Sequence, residues 1–120
     1  VYMAGSVKAK LSGSTDGDRV LLTSTNSTCA TTIHTFASGV SGENSWDEIY
    51  LWGFNNSTAD INLTIEYGST SHIIVHSIPY KEGMTLILPG TVGHNGLVLK
   101  GFKGATGTLG VAGFINRISS

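Results

Sequence analysis

Along residues 49–67 two apolar patterns follow one another. Ile61, Leu63, Ile65 and Tyr67 alternate with Asn62, Thr64 and Glu66, a period of two that predicts a strand buried on one face. Just before it, in the stretch DEIYLWGF (Asp47 to Phe54), Ile49 and Leu51 occupy one phase of the strand and Tyr50, Trp52 and Phe54 the other. Both faces of that strand are therefore apolar, and each needs a cover.

The same reading extends along the chain. RVLLT (Arg19 to Thr23), TTIHTFA (Thr31 to Ala37), HIIVHSI (His72 to Ile78), TLILP (Thr85 to Pro89), GLVLKGF (Gly96 to Phe102) and TLGVAGFINRI (Thr108 to Ile118) crowd β-branched and aromatic residues between turn signals. Those signals are Gly68-Ser69-Thr70, Pro79 to Gly83, Pro89-Gly90, His94-Asn95-Gly96 and Lys103 to Gly107, and SGVSGENSW (Ser38 to Trp46) reads as a loop. Both prolines fall where a strand is expected to end. The pattern predicts an all-β, single-domain β-sandwich or jelly-roll-like barrel of about eight antiparallel strands over residues 18–120. Residues 1–17, small and polar apart from Val7, Ala9 and Leu11, are expected to form an N-terminal arm or an edge strand.

Composition supports strands over helices: 16 Gly stand against 15 charged side chains, and the Glu, Lys and Ala that long amphipathic helices use are scarce. A net charge of -1, with the 7 Lys/Arg scattered among the 8 Asp/Glu, offers no basic stripe in the sequence, so nucleic acid is not an expected partner. No apolar run approaches 18 residues, and VYMAGSVKAK lacks the apolar centre of a secretory signal. The expectation is a chain with no membrane partner, made in a reducing cytoplasm. Cys29 is the sole cysteine, so the fold stands on packing; it is expected to be a small buried hydrophobe, with an intersubunit disulfide or a reactive thiol as the other reading.

Candidate chemistry is sparse. His72 and His76 have the i, i+4 spacing of a helical zinc chelate, but on a strand their imidazoles stand roughly 13 Å apart. No metal site is expected from His34, His72, His76 and His94, and none from the acids Asp16, Asp18, Glu43, Asp47 and Glu48, which match no calcium loop. There is no nucleophile elbow and no phosphate loop. The chain is read as neither an enzyme nor a cofactor binder.

The aromatics are more informative. If Ile49 and Leu51 face the core, Tyr50, Trp52 and Phe54 must meet something else; if the aromatics are the core, the Ile49 side must. The C-terminal run repeats the problem, with Leu109, Val111, Gly113 and Ile115 on one face and Phe114 and Ile118 adding apolar area to the other. Either way an apolar face remains for a partner or a symmetry mate. Expected partner-binding residues are Trp46, Tyr50, Trp52 and Phe54, together with Val1, Tyr2, Met3 and Val7 of the arm.

The succession EIYLWGFNNSTADINLTIEYGST, VHSIPYKEGMTLILPG and NGLVLKGFKGATGTLGVAGFINRI, spanning Thr31 to Ile118 with its upstream strand, resembles small β-rich virion proteins of tailed bacteriophages, closest to those that decorate or cement the capsid. The resemblance implies a structural protein on the outer capsid surface, a homo-oligomer with a trimer favoured, bound to the major capsid protein. Two alternatives remain: a tail-fibre or receptor-binding module whose Trp46 stacks on glycans, and a small jelly-roll hydrolase or lyase using His72, His76 and an acid.

Overall fold

The computed structural model describes residues 5–37 and 45–119. Nine strands are formed among them: β1 (Gly5–Lys10), β2 (Val20–Leu21), β3 (Thr31–Thr35), β4 (Ser45–Asn55), β5 (Ile61–Tyr67), β6 (Ile73–Ile78), β7 (Met84–Gly93), β8 (Val98–Lys103) and β9 (Leu109–Ser119). They build two antiparallel sheets packed as a β-sandwich. Sheet A runs β1-β9-β4-β7, with β2 also on β9; sheet B runs β3-β8-β5-β6.

The alternation in the sequence becomes the division between the faces. On β4 the residues Asp47, Ile49, Leu51, Gly53 and Asn55 are buried, and Glu48, Tyr50, Trp52 and Phe54 between them are partly exposed. Ile49 and Leu51 lie directly opposite Ile115 and Gly113 of β9, and Ile61, Leu63 and Ile65 of sheet B close the same core with Ile33, Ile78 and Leu99. Of the two ways of placing β4, the one with Ile49 and Leu51 inside is realised. At about 2 kcal/mol for each fully buried aliphatic side chain, this core is the main force holding the sheets together.

Three local expectations are corrected. Pro89-Gly90 does not end a strand: β7 continues to Gly93, and the register against β4 shifts between Ile49/Thr91 and Tyr50/Pro89. Gly90 is the extra residue, a bulge at φ 102° that lies against the Tyr50 ring. Pro89 is tolerated because β7 is an edge strand and need not donate on both sides. RVLLT contributes only the two-residue strand β2. Cys29 is exposed, at the end of a 3-10 turn (Ser27–Cys29) whose first residue follows Asn26; the Asn26 side chain accepts the Cys29 N–H. That cap holds the turn outside the core.

The buried polar residues are satisfied. Asn55 donates from Nδ2 to the Ala59 and Ile78 carbonyls, 2.8 and 2.9 Å, and accepts from the Ser57 N–H, tying β4 to the following turn and to β6. Glu66 is buried on the outer side of sheet B, where the Ser27 hydroxyl donates to its carboxylate. Gly5–Lys10 is an edge strand of sheet A, with Gly5 opposite Ser119 at the far end of β9.

Candidate functional site

The feature that sets this sandwich apart is the outer face of sheet A. Backbone pairing aligns Tyr50 with Phe114, Trp52 with Ala112 and Phe54 with Gly110 on one side, and Trp52 with Leu86 and Phe54 with Met84 on the other. All of these side chains share the phase opposite to Ile49 and Leu51, so all project away from the core. The rings organise themselves: Tyr50 stacks on Phe114 with centroids 5.0 Å apart, and Trp52 on Phe114 at 6.1 Å. The Lys8 ammonium sits 4.6 Å over the same Phe114 ring, a cation–π contact that brings one positive charge onto the face. The end of the Phe54 ring sits against Gly110, leaving no room there for even a methyl group.

These rings shield one another in part, so that Tyr50, Trp52, Phe54 and Phe114 are half-buried, and the aliphatic groups beside them are more open. Leu86 is 46% exposed, Met84 56% and Val92 51%. The stretch from Trp46 to Phe54 is about 27 Å long and the four strands about 19 Å across, giving a face of roughly 500 Å². That matches the largest apolar patch of an ordinary monomer and falls short of the ~800 Å² one partner gives to a standard interface. The face therefore suits the apolar centre of a larger contact with a polar rim. Lys8, Asn116 and Glu48 form one cross-strand row at the end of the face, and Lys10 stands opposite Phe114 at its β1 edge. Near Phe54 the surface dips into a cleft of about 480 Å³ edged by Arg19, Asn56 and Lys81.

The expected partner-binding residues divide. Tyr50, Trp52 and Phe54 are brought together on the face, and Trp46 is in phase with them, 39% exposed at one end. One side of the Trp46 indole is taken by His94, stacked at 4.6 Å, and the His94 Nδ1–H donates to the Ser45 carbonyl at 2.6 Å. Val7 pairs with Arg117 and so belongs to the opposite phase of the sheet, on its outer edge. Val1, Tyr2 and Met3, and most of the loop from Ser38 to Trp46, lie outside the described residues.

The four histidines are dispersed. His72 and His76 are at the edge of sheet B, His94 is under Trp46, and His34 is 1% exposed inside the sandwich. His34 belongs to a cluster that strand patterns alone did not point to. Asp47, fully buried, accepts from His34 Nε2–H at 2.8 Å and from the Ala37 N–H at 3.0 Å through Oδ2. Arg117 donates to it twice, Nε to Oδ1 at 2.8 Å and Nη2 to Oδ2 at 3.0 Å. His34 Nδ1 accepts the Ser12 backbone N–H at 2.9 Å, which fixes a neutral imidazole with its proton on Nε2.

A Ser, a His and an Asp thus stand in a row, but not as a nucleophilic relay. In such a relay the imidazole keeps one nitrogen free for the hydroxyl. Here that nitrogen is occupied by a peptide N–H, and the Ser12 hydroxyl accepts from the Thr35 N–H at 2.7 Å. The cluster is a clamp that joins the segment after β1, the end of β3, β4 and β9. Burial holds the His34 pKa below its ordinary value, outweighing the hydrogen bond and charge of Asp47. For Asp47 burial pushes upward, yet the hydrogen bonds from Arg117 and His34 outweigh it and the carboxyl stays below the ordinary range. Compared with protein families, with curated proteins and with solved structures, the chain matches none of them.

Proposed function

We propose that this domain is a structural virion component, a capsid decoration protein of a tailed bacteriophage, and that it seats the outer face of sheet A on the major capsid protein. The observation that carries the reading is the row Tyr50, Trp52 and Phe54 with Phe114, Leu86 and Met84, in which Tyr50 and Trp52 stack on Phe114 and the described residues leave the whole row partly exposed. Aromatic side chains held in place lose little freedom when buried, so they are effective anchors in a contact made many times over a shell. Lys8 and Lys10 at the rim favour an acidic stretch on the capsid side. Function on this reading is adhesion by buried area, with the protein on the virion surface as a homo-oligomer.

Mass spectrometry and electron microscopy of purified particles test it directly, combined with Trp52→Asp. The variant is expected to keep its far-UV spectrum and to lose at least ten-fold in head binding. A protein missing from purified heads, or a variant that binds as well as the parent, refutes the reading. A glycan array separates the receptor-binding alternative, because a decoration protein ignores sugars.

A further inference from the structure

The β6 end of sheet B lies apart from the aromatic face of sheet A. Among the described residues β6 pairs only with β5, and no described strand lies on its outer side. Ile73, Ile74 and Val75 are 52%, 37% and 55% exposed, and from His72 to Ile78 there is neither an acid, a lysine nor a proline. Natural sheets protect such edges with charge, proline or a bulge, because a bare β-branched edge recruits another strand.

The backbone groups that point outward can be identified. The Tyr67 N–H donates to the His72 carbonyl at 2.8 Å, and the register continues through Ile65 with Ile74 and Leu63 with His76. In an antiparallel ladder the bonded residues alternate, so Ile74 and His76 turn their N–H and C=O toward β5. Ile73, Val75 and Ser77 turn theirs to the open edge.

We propose that β6 pairs antiparallel with β6 of a second copy of this chain about a two-fold axis at Ile74, joining the two B sheets into one of eight strands. The segment His72-Ile73-Ile74-Val75-His76 reads almost alike in both directions. A two-fold axis at Ile74 sets Ile73 against Val75 of the partner subunit, and Val75 against Ile73 of the partner subunit. These are the residues with free backbone groups, and together they close about four hydrogen bonds. Ile74 meets its own symmetry mate, and His72 comes opposite His76 of the partner subunit with Cβ atoms about 5 Å apart. The competing axis at Val75 would instead face Ile74 with a histidine and Ile73 with a serine. Apolar matching selects Ile74. Because a two-fold pairing closes as a dimer, it departs from the trimer that the capsid resemblance implies.

Cysteine cross-linking of the full chain reads both the association and its register. In a Cys29→Ser background, Ile74→Cys is expected to oxidise to a disulfide-linked dimer, since a residue opposite its own mate in a non-bonded pair lies within disulfide reach. Light scattering of the parent is expected to give twice the chain's 12.6 kDa, and Val75→Lys to return it to one chain without loss of its melting transition. A monomeric parent at about 100 µM with no cross-link from Ile74→Cys overturns the proposal. Faster cross-linking of Val75→Cys than of Ile74→Cys overturns the register. Trp52→Asp leaves this dimer intact, so the edge and the aromatic face fail or succeed separately.

Discussion

Replacing Asp47 by Asn changes one oxygen to an NH₂ at the centre of the clamp. The carboxylate accepts four hydrogen bonds: from His34, from the Ala37 N–H and two from Arg117. The amide keeps a single acceptor oxygen. Its better orientation leaves that oxygen on His34 and Ala37, which have no water to turn to, and points the NH₂ at the Arg117 guanidinium, donor against donor. Arg117 is 47% exposed and can swing into solvent, so the loss of its fork costs only about 1 kcal/mol. The two surviving bonds fall from charge-assisted to neutral, about 1 kcal/mol each. Against this, an amide is cheaper to bury than a carboxylate, which returns part of the loss. The expected cost is about 2–3 kcal/mol, or a melting temperature lower by about 10 °C for a chain of this size. Urea denaturation with an unchanged m-value and a shifted midpoint checks it. If Asp47→Asn unfolds within about 0.5 kcal/mol of the parent, the ionised carboxylate is not what anchors the ends of these strands.

The same cluster sets an acid limit. The folded-state pKa of His34 lies below the ~6.5 of a free imidazole, so the unfolded chain takes up that proton first and stability falls as pH drops below about 6.5. The Asp47 share is present above about pH 4, the unfolded carboxylate value, and is lost as pH falls through the lower folded value. Melting curves from pH 7.5 to 3 are expected to show both declines, and His34→Gln to flatten the upper one; an unaltered upper limb would remove His34 from the account. Exposed Cys29 is expected to react fully with a thiol reagent in the native protein, at a rate within a few-fold of the denatured chain; protection until unfolding would contradict its place on the surface turn.

Much of this architecture is legible in the sequence, because strand periodicity is local. The two phases of Tyr50-Leu51-Trp52 and of Phe114-Ile115 can be read directly, and they locate β4 and β9 before their pairing is known. Which phase faces inward is not local. The inner phase of β4 also contains Asp47 and Asn55, residues that by themselves suggest a wet face, and only the partners supplied by His34, Arg117 and Ile78 make their burial affordable. His34, Asp47 and Arg117 come from three distant strands, so no spacing rule links them. A signal does exist: Asp47 is in phase with Ile49 and Leu51, and Arg117 with Val111 and Ile115, near the ends of their apolar phases. Polar residues that keep step with a core pattern point to a buried pairing. The exposure of Cys29 follows from the Asn26-capped turn, which the apolar character of a thiol does not signal. Pro89-Gly90 falls inside β7 because an edge strand accepts both a proline and a bulge.

The pairing of Gly5 with Ser119 across β1 and β9 has a practical outcome for protein engineering. Residues directly opposed in an antiparallel ladder have Cα atoms only about 5 Å apart, so a short Gly/Ser bridge can join Gly5 to Ser119. A circular permutant opened in the turn at Lys81–Gly83, between β6 of sheet B and β7 of sheet A, retains all the strands from β1 to β9 and presents its new ends at that turn. Chain leading away from Gly5 and chain leading away from Ser119, by contrast, depart from a single corner of sheet A.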